Sequence, residues 1–299
     1  NITNNSYVFT PDPLLFPCVN QYTKAITVAN PPTVGTLNGN QNVCVGLTTT
    51  FSSTSSGGTW SSQNTAIATV NSATGVIVGV SSGTTSIDYT IVGTGGCSNV
   101  TISRSVTVTS PVVGGTLSGN QAICIGQTST FSSTIAGGTW TSSNNAIATI
   151  NAVSGVINGL TAGNATMTYS VSGTGGCPIA TSTRTITITA LPNAGTLSGT
   201  PNVCVGLTTM FSSTSPSGTW SSANPAIATV NATTGLVTGI SSGTVSIDYT
   251  VPGTGGCSPV TVSRSVTVSN PLSAGLLAGN QAICVGNITN LNSTIAGGT

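Results

Sequence analysis

The sequence is short of charge before anything else. Of 299 residues, 2% are charged, with Lys24, Arg104, Arg184 and Arg264 set against Asp12, Asp88 and Asp248, and there is no Glu and no His. General acid–base catalysis needs a His or a tuned carboxylate, and a metal site needs clustered His, Cys or carboxylates. Neither set can be assembled, so we expect no enzyme and no cofactor. A net charge of +1 spread over four distant cations gives no patch to steer toward nucleic acid or acidic lipid. No apolar run approaches the ~18 residues that span a bilayer. Helix formers are scarce, whereas Ser, Thr, Val and Ile abound and favour strands. An all-β protein is expected.

What is present is repetition. GTWSSQNTAIATV around Trp60 returns as GTWTSSNNAIATI around Trp140 and GTWSSANPAIATV around Trp220, an interval of 80 residues. The same interval relates Cys44, Cys124, Cys204 and Cys284, then Cys97, Cys177 and Cys257. It also relates Phe51, Phe131 and Phe211, and Tyr89, Tyr169 and Tyr249. We place modules at 31–110, 111–190 and 191–270, with junctions at Pro31, Pro32, Pro111, Pro192 and Pro271. Residues 1–30 read as the last hairpin of a preceding module and 271–299 as the opening of a further one, which implies a slice of a longer chain. Residues 271–299 share NQAIC and STIAGGT with the second module, while the first and third share GLTT and SIDYT, so the duplicated unit reads as a pair of modules.

Within a module, short alternating runs are separated by Gly, Asn and Ser turns. In the first, residues 47–54 read as one strand, 58–62 opens the next, 66–70 continues it, 75–80 follows a turn, and 84–92 and 99–109 form a closing hairpin around GTGGC. About seven short strands in such a length is the signature of a sandwich. The expected core is Phe51, Trp60, Ala68, Val70, Val76, Val80, Ile87, Tyr89, Ile91, Val106 and Val108, with Phe131, Trp140, Tyr169, Phe211, Trp220 and Tyr249 as its aromatic counterparts.

The run W-S-S-x-N-x-A-I-A-T-V-N, then T-G-x-V-x-G-x-S-S-G-T, then the closing V-T-V resembles the group 2 bacterial immunoglobulin-like repeats of cell-surface adhesin stalks, over about 270 residues. The C-x-G and G-G-C elements depart from the commonest form of that repeat and look like those of long secreted proteins of Bacteroidota. The resemblance implies tandem immunoglobulin-like β-sandwich modules in a rod, outside the cell or on its surface, and carries over no catalytic residue.

Eight cysteines, Cys18, Cys44, Cys97, Cys124, Cys177, Cys204, Cys257 and Cys284, point to disulfides, since there is no CxxC pair and no His to complete a zinc site. In such a sandwich Cys97 falls at the end facing the preceding module and Cys44 at the end facing the next. A strand of six or seven residues separates those ends by roughly 20 Å, whereas a disulfide needs Cα atoms within about 7 Å. This favours inter-module bonds, Cys44 with Cys177 and Cys124 with Cys257. The intra-module alternative, Cys44 with Cys97, Cys124 with Cys177 and Cys204 with Cys257, stays open because the path of residues 35–45 is not fixed by sequence.

Val100, Ile102, Arg104, Val106 and Val108 share one face of the closing strand, so Arg104 points to the rim of the core, toward Tyr89 or Trp60. The Gly-rich GTGGC loops lack a Lys or a following helix and read as turns, and the Trp residues as core. The leading functional reading is a stiff stalk or filament shaft. Modules binding carbohydrate or protein, or an accessory segment of a secreted enzyme, are the alternatives. Expected partners are other modules of the chain, identical chains packed laterally through the nearly uncharged surface, or a surface glycan or protein ligand.

Overall fold

The computed structural model describes residues 5–10, 12, 14–15, 17–18, 22–26, 28–272, 275–279 and 282–294. Among them every regular element is a strand. Strands β1 (Asn5–Phe9) and β2 (Tyr22–Ile26) pair antiparallel. Parts of residues 1–30 and 271–299, where the flanking partial modules were expected, lie outside the described residues.

The first complete repeat contains nine strands: β3 (Leu37–Asn38), β4 (Asn42–Cys44), β5 (Thr48–Thr50), β6 (Ser52–Ser53), β7 (Thr59–Ser62), β8 (Ala68–Val70), β9 (Val76–Gly79), β10 (Gly83–Ile91) and β11 (Val100–Thr109). The same series runs from Leu117–Ser118 to Ala180–Thr189 and from Leu197–Ser198 to Val260–Ser269. One layer is a four-stranded sheet in the order β4-β11-β10-β7. The other is formed by β5-β9-β8 and the short pair β3-β6. The repeat is therefore a small two-layer sandwich.

Two strands expected to be continuous are broken, each for a visible reason. Residues 47–54 divide at Phe51, whose amide donates to Gly75 O while its ring is 1% exposed; β5 then pairs with β9 and β6 with β3. Residues 66–70 do not continue β7. The side chain of Asn64 accepts from the amide of Ala66, and its carbonyl accepts from Ile67 and Ala68. This turn sends β8 into the opposite sheet.

Strand β9 has the opposite parity to the one expected: Ile77 is 0% exposed, Val76 half-buried and Val80 46% exposed. The cause is the preceding turn. Asn71 Oδ1 accepts from the amides of Ala73 and Thr74, and Gly75 completes the turn at φ 72°. Gly75 lies under Trp60, where a Cβ would come within 3.0 Å of the indole nitrogen, so the inward positions are 75, 77 and 79. A one-residue shift exchanges the faces of the whole strand.

Three core clusters result, one per repeat. The first contains Phe51, Trp60, Ala68, Ile87, Tyr89, Val106 and Val108, together with Leu37, Val43 and Ile77, which sequence reasoning passed over. Val70 and Ile91 pack partly buried against it. Trp60 lies 4.6 Å from Tyr89 and 6.4 Å from Phe51, centroid to centroid. The hydroxyl of Tyr89 donates to Ser55 O and accepts from the amide of Gly58, closing the loop before β7.

The arginine of the closing strand finds a different ring from those expected. Arg104 lies 5.5 Å from the centroid of Phe51, and its two terminal nitrogens donate to Leu37 O and Gly39 O. Arg184 and Arg264 do the same over Phe131 and Phe211. Each guanidinium thus ties the four-stranded sheet to the short β3 segment across the sandwich, where two residues of pairing alone would hold it weakly.

The solvent-accessible area is 17803 Å² for 29.2 kDa. A compact globule of that mass would expose about 11,500 Å².

Candidate functional site: the junction between repeats

Strand β4 runs parallel to the end of β11, pairing Asn42 with Thr107, Val43 with Val108 and Cys44 with Thr109. The amide of Val45 then donates to Thr109 O. This pairing carries Cys44 to the end where the chain leaves for the next repeat. The GTGGC loop, between β10 and β11, lies at the other end. Since β11 has 10 residues at ~3.4 Å each, about 30 Å separate Cys44 from Cys97 of its own repeat. That span excludes the intra-module pairs Cys44–Cys97, Cys124–Cys177 and Cys204–Cys257.

Across each junction the geometry is different. Cys44 is bonded to Cys177 with Cα atoms 4.7 Å apart, and Cys124 to Cys257 with Cα atoms 4.9 Å apart. Each bond joins residues separated by 133 positions. Cys18, Cys97, Cys204 and Cys284 are free thiols; Cys18 and Cys284 are exposed, Cys97 and Cys204 half-buried.

The loop fits closely against the repeat before it. Cys177 Sγ lies 3.4 Å from both Thr109 O and Ser110 O. Gly175 and Gly176 have φ of 60° and 83°, in the left-handed region. A Cβ on Gly175 would fall on Thr109 Oγ1, and one on Gly176 would come within 3.3 Å of Asn42 O. At the second junction a Cβ on Gly255 would fall on Thr189 Oγ1, and one on Gly256 would lie 2.9 Å from Ala122 O. Glycine is favoured there by conformation, and by close approach to a threonine side chain at the first position and to a backbone carbonyl at the second. The sequence signal was the recurrence of Gly-Gly before Cys, which a turn alone does not demand.

Trp60, Trp140 and Trp220 are 4–6% exposed and offer no open aromatic face. Asp88 accepts from Gln63 Nε2 and Ser103 Oγ, and Asp248 from Ser246 Oγ. Among the described residues no three His, Cys, Asp or Glu side chains gather at a point that could hold a metal ion. No described helix is long and apolar enough to cross a membrane.

Residues 184–262 match the family described as bacterial Ig-like domain (group 2). The repeats are Ig-like sandwiches, and the one period matched is similar to that bacterial group. The matched stretch is one period long, from Arg184 in the closing strand of one repeat to Val262 in that of the next. No curated protein matches the chain. Among solved structures, a C-terminal 282-residue fragment of intimin, in complex with the intimin-binding domain of the translocated intimin receptor, aligns at 17% identity over 52% of this chain, TM-score 0.35. The surface layer protein SbsC, domains 1–6, aligns at 15% identity over 92%, TM-score 0.26. A SusE-like surface located polysaccharide binding protein from Bacteroides thetaiotaomicron aligns at 13% identity over 80% of this chain and 72% of its own, TM-score 0.22. The chain spans 64% of the intimin fragment and 46% of the SbsC fragment.

Proposed function

We propose that these Ig-like modules, at 31–110, 111–190 and 191–270, form a stiff shaft in a surface-exposed or secreted bacterial protein and act mechanically, not catalytically. The observation that carries this reading is that, among the described residues, both disulfides join neighbouring modules and none closes a module on itself. A bond within a module would stabilise that module. A bond across a junction restrains bending and twisting about the linker. It also makes an oxidising compartment outside the cytoplasm the natural setting.

The linker alone would not give stiffness. Interfaces between domains of one chain are commonly small enough to permit relative motion. Here a covalent tie and the backbone connection hold each junction at two points. Buried tryptophans favour the shaft over a carbohydrate-binding module, which would present aromatic faces to solvent.

Small-angle X-ray scattering of the oxidised chain and of the same chain after mild reduction tests the reading. The oxidised form should scatter as a rod of constant cross-section, the reduced form as flexibly joined beads. If both scatter as flexible beads, the shaft is refuted.

A further inference from the structure

The third complete repeat carries the same receiving surface as the first two, and it is open. Cys44 and Cys124 are 1% and 2% exposed beneath the loops that cap them, whereas Cys204 is half-buried and a free thiol. Around it lies a cavity of about 290 Å³ lined by Asn202, Val203, Cys204, Leu207, Thr208 and Ser269. Asn202 and Val203 hold the places of Asn42 and Val43, against which Gly176 rests, and of Ala122 and Ile123, against which Gly256 rests. Ser269 pairs with Cys204 as Thr109 pairs with Cys44, and so supplies the hydroxyl at the place where Thr109 Oγ1 meets Gly175, the middle glycine of the loop.

We propose that the Cys204 cavity is a socket for the Gly-Thr-Gly-Gly-Cys loop of a further module of this same repeat on its C-terminal side, locked by a disulfide to Cys204. This rests on the shaft reading and extends it: the junction is a self-complementary coupling that the chain can repeat without limit of number. Residues 271–299 carry the NQAIC and STIAGGT of the second repeat, so the chain beyond the third repeat is written in the same pattern. The socket selects by backbone contact. A side chain on the glycine just before the loop cysteine would meet the carbonyl at position 202, as one on Gly256 would meet Ala122 O at 2.9 Å.

Locking consumes two thiols. A disulfide-donating oxidant, small or protein, first forms a mixed disulfide with the loop cysteine, releasing one of its own thiols. The Cys204 thiolate then attacks the loop sulfur, the bond to the oxidant breaks, and the oxidant leaves as a second thiolate and takes up a proton. Two cysteine thiols become one disulfide and the oxidant is reduced by two electrons. Seating of the loop brings the two sulfurs together, so exchange at Cys204 should outrun exchange at unseated thiols.

The test is an extended chain in which residues 271–299 are replaced by a second copy of residues 111–190, oxidised in a glutathione buffer and mapped by non-reducing peptide analysis. We expect Cys204 joined to the added copy of Cys177, in the same molecules that carry the Cys44–Cys177 and Cys124–Cys257 bonds. Cys204 left as a free thiol while those two bonds form overturns the proposal. A second measurement needs no added module. A synthetic peptide of residues 172–180, its cysteine activated as a 2-thiopyridyl disulfide, should exchange onto Cys204 of the 299-residue chain at least tenfold faster than onto Cys18 or Cys284. The same peptide with Gly176→Ala should lose that preference. Equal rates at the three thiols, or an unaffected alanine peptide, count against the socket. Scattering as a rod with Cys204 unreactive would leave the shaft standing and remove only this inference.

Discussion

Replacing both Cys44 and Cys177 with Ser removes the first junction bond without leaving a stray thiol. The consequence can be worked from the connectivity. When the second module unfolds beside a folded first one, its chain departs at Ser110 and is held again at Cys177, 67 residues on. Closing a loop of that length in the unfolded state is worth about 4 kcal/mol on the chain-entropy account. The same logic applies to the first module unfolding beside a folded second. For domains of this size ~1 kcal/mol moves the melting temperature by 4–8 °C, so a drop of roughly 15–30 °C is expected. The third module keeps Cys124–Cys257 and serves as an internal standard. Differential scanning calorimetry should therefore show two of three transitions moving down. A single transition that stays within about 3 °C of the unaltered protein would refute the claim that the bond constrains the unfolded modules.

Other substitutions probe the architecture within a module. Arg184→Lys loses the fork that reaches Leu117 O and Gly119 O, and we expect a cost of about 1–3 kcal/mol, seen as a lower urea midpoint; unchanged stability would mean the guanidinium geometry is idle. Tyr169→Phe strands the amide of Gly138 and the carbonyl of Ile135, and should cost about 1–2 kcal/mol by the same measurement, whereas an equal midpoint would mean water replaces the hydroxyl. Ile157→Ala should cost about 2–5 kcal/mol and Leu160→Ala less than about 0.5, since Ile157 is 0% and Leu160 47% exposed. The reverse order would contradict the register of that strand.

The sequence by itself determined the β class, the 80-residue interval and the aromatic core of each repeat. These follow from local alternation and from residues that recur at one spacing, and neither needs the chain to be folded. Turn chemistry was less legible. The inward set on β9 depends on Gly75 taking φ 72° beneath Trp60, and strand alternation alone reads Val76 and Val80 as core just as well as Ile77. Arg104 could be assigned to the correct face, but its ring partner, Phe51, lies on the other sheet and is set by how the layers close.

The cysteines show the division most sharply. Spacing said that they were two periodic sets, and sandwich topology could rank their pairings without fixing the course of residues 35–45. Only the tertiary structure decided that course: β4 turns parallel to β11, so Cys44 sits beside Thr109 at the exit of its own repeat. A parallel pairing between residues more than sixty apart leaves no local pattern, because it is made by the backbone of two strands that are neighbours only after folding. Once it is made, the strand length separates Cys44 from Cys97, and the loop of the following repeat is brought to it instead.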